Sequence, residues 1–290
     1  MTTVPYEIVD VFTDRPFAGN PLAVVFGADA LGADQMQTLA REFNLSETVF
    51  VLPPTVPDAT YRARIFTPVT ELPFAGHPSV GTAVTVMRRG DAKPGTLRQE
   101  CGAGVLPIEV TEHGEGRLTG GTPSLGAEHD PAPLLEIAGL TAADLDGPAP
   151  RTAGCGLDHL FLSVRPDAVS RAVPDPAAAA RHGVPKLTVL AWNATANTAH
   201  LRMFGSGVGV REDPATGSAA LGLGVWLVAA GLLPADGVTR YTVHQGAEMH
   251  RPSTLECTVT AAGGVATSAT VAGHVVPIAR GEIIVPPFIG

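Results

Sequence analysis

Cysteine is scarce in this chain of 290 residues: Cys101, Cys155 and Cys257 are odd in number, widely separated and outside any CxxC or HxxxH spacing. The thiols therefore signal neither a disulfide framework nor a zinc site. Positive charge is scarce too, with 19 Lys and Arg against 28 Asp and Glu and a net charge of −9. The densest basic spot, Arg88-Arg89, lacks the footprint that a phosphate backbone requires, so nucleic acid is excluded as a partner. No run reads as a membrane span. Residues 217–235 are uncharged over nineteen positions but carry Ser218 and four glycines, and a buried helix is the expectation there. The opening MTTVPYEIVDVF shows no basic segment followed by an apolar one, so no secretory signal and a cytoplasmic location are expected. No Lys follows either glycine set in GxxxxGK[ST] order, a dinucleotide fingerprint fails, and no GxSxG elbow occurs. P-loop, dinucleotide and Ser-His-Asp hydrolase chemistry are thereby removed.

What the chain does have is core-forming material, with 45% hydrophobic side chains. Its length suits two domains or one large one. The 33 glycines and 26 prolines stay below the roughly 25–30% typical of low-complexity chains and punctuate many short elements instead. β-Rich runs fall at 6–12, 21–26, 48–53, 61–66, 104–111, 159–164, 186–192, 200–204, 239–246, 253–260, 265–271 and 282–286. Helical patterns fall at 33–43, 79–89, 131–139, 174–183 and 218–231. The class is mixed α and β, with sheets wrapped around few helices.

A self-comparison at an offset of about 139 residues, roughly one domain, brings three features together in order. Arg64-Ile65-Phe66 followed by FAGHPSVGTAV aligns with Arg202-Met203-Phe204 followed by DPATGSAALGL. The segment 40–52 falls over 179–191, and 15–25 falls near 153–164. Two pseudo-repeats are expected, with binding at a shared cleft.

Both FAGHPSVG (74–81) and EDPATGSAA (212–220) put small residues directly before an apolar helix. Such helix starts either are capped by Ser79 and by Thr216 or Ser218, or offer free N–H groups to a small anion such as a carboxylate. His77 lies between Gly76 and Pro78, and Asp213 precedes Pro214, so each sits on constrained backbone beside a helix start. Each is either a cap or surface group or a ligand-holding one. Glu47 begins the apolar strand after Asn44-Leu45-Ser46, and either points to water or is a partly desolvated carboxylate able to take and return a proton. Lys186 stands under it in the shifted alignment, so this acid/base group is not duplicated. The positions where a two-cysteine racemase sets its thiols hold Ala75 and Pro214, which argues against that chemistry.

The ordered segments VDVFTDRPFAGNPLAVVF, FNLSETVFVL, RIFTPVTELPFAGHPSVGTA, EDPATGSAA and QGAEMHRPS make the chain resemble the PhzF family of phenazine-biosynthesis-type isomerases over nearly its whole length. The resemblance implies an α+β, diaminopimelate-epimerase-like fold of two pseudo-symmetric domains, each a rolled β-sheet around a central helix, 79–89 and 218–231. Its domains are expected at 1–120 plus 277–290 and at 121–276, with the site between them and a homodimer as the assembly. It also implies an isomerase with no cofactor and no metal, acting on a small carboxylate. The family's reaction moves a proton within trans-2,3-dihydro-3-hydroxyanthranilate from ring C3 to C1. By motif position Glu47 is the proton shuttle, and His77 and Asp213 hold the substrate's polar groups. Gly76, Gly217 and Ser218 contribute donors to its carboxylate, and Ser46 flanks the base. Two departures bear on substrate geometry. Gly205-Ser206-Gly207 stands where a Ser-Pro or Ala-Pro turn is usual, and His250-Arg251 where Gly-Arg is common. Rival expectations are the same mechanism on a different carboxylate, and a binding or interaction protein that lost the chemistry.

Overall fold

A computed structural model describes residues 2–206 and 210–287. The chain divides into two compact units, one formed by Met1–Leu118 with Ala272–Gly290 and the other by Thr119–Val271. The first carries β1 (Thr3–Val11), β2 (Asn20–Val25), α1 (Ala33–Phe43), β3 (Glu47–Leu52), β4 (Tyr61–Phe66), β5 (Glu71–Leu72), α2 (Gly76–Arg88), β6 (Gly95–Cys101), β7 (Gly104–Val110) and β8 (Glu115–Thr119). The second carries β9 (Pro123–Glu128), α3 (Pro131–Ala138), β10 (Arg151–Cys155), β11 (Asp158–Ser163), α4 (Pro166–Arg171), α5 (Pro176–His182), β12 (Leu187–Asn193), β13 (Thr198–Gly205), β14 (Val210–Asp213), α6 (Gly217–Ala229), β15 (Gly237–Gln245) and β16 (Ser253–Ala262). The last strand, β17 (Val265–Ile284), begins in the second unit and ends in the first.

The pairing scheme is the same in both units. In the first, β1–β2 is antiparallel, β2–β3 parallel, β3–β4 antiparallel and β4–β6 parallel. In the second, β10–β11 is antiparallel, β11–β12 parallel, β12–β13 antiparallel and β13–β15 parallel. Each parallel step requires a crossover: α1 and then α2 supply the two of the first unit, and α4 with α5 and then α6 the two of the second. α1 ends where Asn44 takes the left-handed conformation at φ 50° and returns its N–H to Ala40 O. That stop delivers the chain, through Leu45-Ser46, to the first residue of β3.

In each unit the sheet rolls around one helix, giving the diaminopimelate-epimerase-like fold. α2 is buried from Gly76 through Val86, and α6 buries eleven of its thirteen residues. α6 is apolar on all sides and is stable only when enclosed, whereas α2 buries Ser79 and Thr85 with their hydroxyls returned to the Ala75 and Gly81 carbonyls. Glycines set how closely the strands approach. A Cβ on Gly81 would meet Leu22 and Val11 side chains at 2.6 and 2.7 Å, and one on Gly222 would meet the Ala153 carbonyl at 2.9 Å. Among the described residues no helix is long and apolar enough to cross a membrane.

Two expectations are corrected. The runs at 265–271 and 282–286 belong to one twenty-residue strand, whose pairing with β1 shifts register between Ile8 and Val9, opposite Pro277. The bulge accommodates a residue without an N–H and so lets the strand continue through it. α2 begins at Gly76 rather than Ser79, because Pro78 sits in the first turn, where its missing N–H has no intrahelical role.

Candidate active site

Glu47 opens β3 at the C-terminal side of the α1 stop, paired in parallel register with Leu22. Its side chain is 17% exposed, so it is partly desolvated rather than directed into bulk water. Oε2 lies 3.2 Å from Nδ1 of His77, which is 5% exposed. Burial pushes the His77 imidazole down to about 3, against a smaller raising contact with the Pro21 carbonyl, so the ring is neutral near pH 7. Nδ1 thus faces the Glu47 carboxylate as part of an uncharged ring. The Asn20 amide nitrogen lies 3.5 Å from the same atom. Ser46, half-buried, directly precedes the carboxylate.

His77 is the second residue of α2, whose N-cap Ala75 offers no side-chain cap. The N–H groups of Gly76 and His77 have no intrahelical acceptor, and Pro78 brings none. Ser79, expected as a cap, lies inside the helix and donates its hydroxyl to Ala75 O at 2.8 Å. Its Oγ accepts from Gln99 Nε2 at 2.8 Å, and Gln99 in turn accepts from Tyr61 OH at 3.0 Å. The start of α2 is thus braced from β6.

The second unit repeats the device. Asp213 ends β14, is 9% exposed, and accepts the Thr216 hydroxyl on Oδ2 at 2.6 Å. Thr216, the N-cap of α6, donates its backbone N–H to Gln245 Oε1 at 3.0 Å, while Gln245 Nε2 donates to Asp213 O at 2.7 Å. Gly246 (φ 79°) leaves no room for a Cβ, which would lie 2.5 Å from Pro214 O, and Ser253 donates its hydroxyl to the same carbonyl at 2.9 Å. The QGAEMHRPS segment therefore holds the EDPATGS loop. Sequence reasoning missed Gln99 and Gln245; the one available signal was a glutamine opening the last of the recurring segments. Gly217 is the buried first residue of α6, and Ser218, half-buried, follows it with its Oγ 2.9 Å from Nε2 of His159.

The aligned Arg-x-Phe segments also share a role. Arg64 makes a bidentate pair with Glu71 at 2.7 Å twice, and Arg202 pairs with Glu212 at 2.8 and 2.9 Å. Each arginine joins the strand it lies on to the segment leading into a helix start. Of the two departures, Gly207 lies outside the described residues, Gly205 ends β13 and Ser206 follows in a turn. His250 adopts φ 56°, the left-handed region that favours glycine. Among the described residues no three His, Cys, Asp or Glu side chains gather as a metal-binding group.

A sheet rolled around a buried helix, with a partly desolvated carboxylate at a strand start beside a helix N-terminus, defines the class of isomerases and epimerases built on the diaminopimelate-epimerase-like fold. A family profile described as "Phenazine biosynthesis-like protein" matches residues 9–281, and the chain belongs to this family, PhzF, and is an isomerase. It is 36% identical over 283 residues to a trans-2,3-dihydro-3-hydroxyanthranilate isomerase of Pseudomonas aeruginosa, covering 96% of this chain and 98% of that one. It is 35% identical over 318 residues to an uncharacterized isomerase of Mesorhizobium japonicum, covering 98% and 100%. The crystal structure of a PhzF-family protein of Bacillus anthracis superposes with a TM-score of 0.86 at 27% identity, covering 98% of this chain and all of that one.

Proposed function

We propose that the protein moves a proton within a small cyclic unsaturated amino-carboxylate, trans-2,3-dihydro-3-hydroxyanthranilate or a close analogue, with Glu47 as the single acid/base group. The observation that carries this reading is the Glu47–His77 contact: a partly desolvated carboxylate oxygen 3.2 Å from Nδ1 of a neutral imidazole. A carboxylate beside an uncharged imidazole can take a proton from carbon and return it afterwards. Negative charge released into the conjugated ring is stabilised by donors fixed in advance, the N–H groups at the starts of α2 and α6. One carboxylate serves both transfers because C3 and C1 lie on one ring face within its reach. His77 and Asp213, the latter with its Oδ2 fixed by Thr216, hold the polar substituents, and Gly76, Gly217 and Ser218 give donors to the carboxylate. The reaction runs without metal or cofactor, in a homodimer. The relative named for this activity, similar over nearly its whole length, supports the choice of substrate.

A second reading, the same mechanism on another small carboxylate, is favoured by His250, which stands in a left-handed turn of the segment that braces Asp213. Incubation with trans-2,3-dihydro-3-hydroxyanthranilate in D2O, followed by NMR, separates the two. Product carrying one deuterium supports the first reading, and tight binding without turnover moves the assignment to the second. A protein that neither turns over this compound nor binds 3-hydroxyanthranilate contradicts both and favours a binding protein without the chemistry.

A further inference from the structure

The duplication matches two polar residues of the recurring segments 15–25 and 153–164. Asn20 opens β2 and His159 is the second residue of β11, and they correspond in the internal alignment. His77 and Ser218 are matched by helix position instead, each being the second residue of its central helix. In both units the strand residue reaches the helix residue: Asn20 lies against His77 at 3.5 Å, and His159 Nε2 lies 2.9 Å from Ser218 Oγ. The first unit thus uses this pair of positions to orient an imidazole, and the second uses it on a hydroxyl.

The direction of the second contact follows from its surroundings. His159 is 3% exposed and neutral, pushed down to about 3 by burial and, to a smaller extent, by the Lys186 ammonium. Its Nδ1 is buried with no hydrogen-bond partner among the described residues. A buried N–H without an acceptor costs more than a bare lone pair, so the proton belongs on Nε2, where Ser218 Oγ accepts it. With an Oγ lone pair engaged by His159, the Ser218 proton is left to point elsewhere, beside the unpaired N–H groups of the α6 first turn.

We propose that His159 is a positioning residue that makes Ser218 an obligate hydroxyl donor and so adds one side-chain donor to the anion-receiving start of α6. The inference deepens the carboxylate reading above and rests on it for the identity of the ligand. Lys186 contributes by disfavouring a proton on both ring nitrogens.

Two measurements test it. In 15N NMR of the protein as it stands, His159 is expected as the Nε2–H tautomer between pH 6 and 8; the Nδ1–H tautomer overturns the proposal whatever the substrate proves to be. In titration calorimetry, 3-hydroxyanthranilate is expected to bind about tenfold more weakly to His159→Leu, and 2-aminophenol, which lacks the carboxylate, within twofold of wild type. His159→Gln, which can keep a donor toward Ser218, is expected to recover most of the loss. Ser218→Ala should show the same loss, with no further effect of His159→Leu in the double variant. Equal weakening of both probes, or additive losses in the double variant, overturns the positioning role. Failure of the wild type to bind 3-hydroxyanthranilate overturns the ligand reading alone, leaving the tautomer measurement to decide the role of His159.

Discussion

Glu47 Oε2 and His77 Nδ1 lie 3.2 Å apart, and the contact joins a carboxylate to a neutral imidazole, since burial holds His77 unprotonated down to about pH 3. A protonated histidine there would clamp the carboxylate in its charged form and oppose proton uptake. A neutral one lies beside the carboxylate without adding that charge.

Replacing Glu47 with Gln removes the group proposed to carry the proton. Turnover and solvent-deuterium incorporation are expected to fall by at least about 10³-fold, with an unchanged circular dichroism spectrum and melting temperature within a few degrees. Deuterium exchange at the wild-type rate would eliminate Glu47 as the shuttle.

The two buried histidines fix the sign of the acid response. His77 and His159 have folded values near 3 against 6.5 when exposed, so below pH 6.5 the unfolded chain gains protons that the native one refuses. Stability is therefore expected to fall as pH drops from about 6.5 toward 3, at up to about 1.4 kcal/mol per unit of pKa difference for each group. Urea midpoints at pH 7.0 and 4.5 check this, and a His77→Gln, His159→Gln double variant should show a smaller drop than wild type.

Gln245 bonds through both ends of its amide, to the Thr216 N–H and to the Asp213 carbonyl. Gln245→Leu leaves these buried groups unpaired, and a loss of about 2–4 kcal/mol is expected. Because the loop carrying Asp213 loosens, kcat/KM should fall more than tenfold at a temperature where the variant remains folded. Normal kinetics in a destabilised variant would show that the bracing serves the fold alone.

The two Arg–Glu pairs share geometry and differ in burial. Arg202 and Glu212 side chains are 7% and 14% exposed, and Arg64 and Glu71 are 26% and 41% exposed. Arg202 also donates to the Val169 and Ala172 carbonyls. Arg202→Met is therefore expected to cost about 3–5 kcal/mol by stranding a buried carboxylate, and Arg64→Met no more than about 1 kcal/mol. Equal costs in urea denaturation would show that burial does not govern these pairs.

Much of this was legible in order along the chain. α1 matches its predicted span of 33–43, because its apolar positions recur at helical spacing and Asn44 stops it. The repeat was visible because each unit presents an Arg-x-Phe strand before a helix that opens on small residues. Strands β6, β8, β9 and β10 were not visible, since GTLRQEC, EGRLT, PSLGAE and RTAGC carry too few apolar residues to alternate and are held by their neighbours.

The sequence by itself determined the local backbone states: the stop at Asn44, and over 218–231 a helix too apolar to be stable except inside a sheet. These depend on residues a few positions apart, and steric and periodic rules act over that range. Only the tertiary structure decided that Glu47 meets His77, that His159 meets Ser218 across 59 positions, and that Gln245 holds the loop of Asp213. It also decided that both histidines are neutral. A proton's affinity for its group is set by desolvation and by through-space neighbours, and these arise only once distant strands and helices have packed.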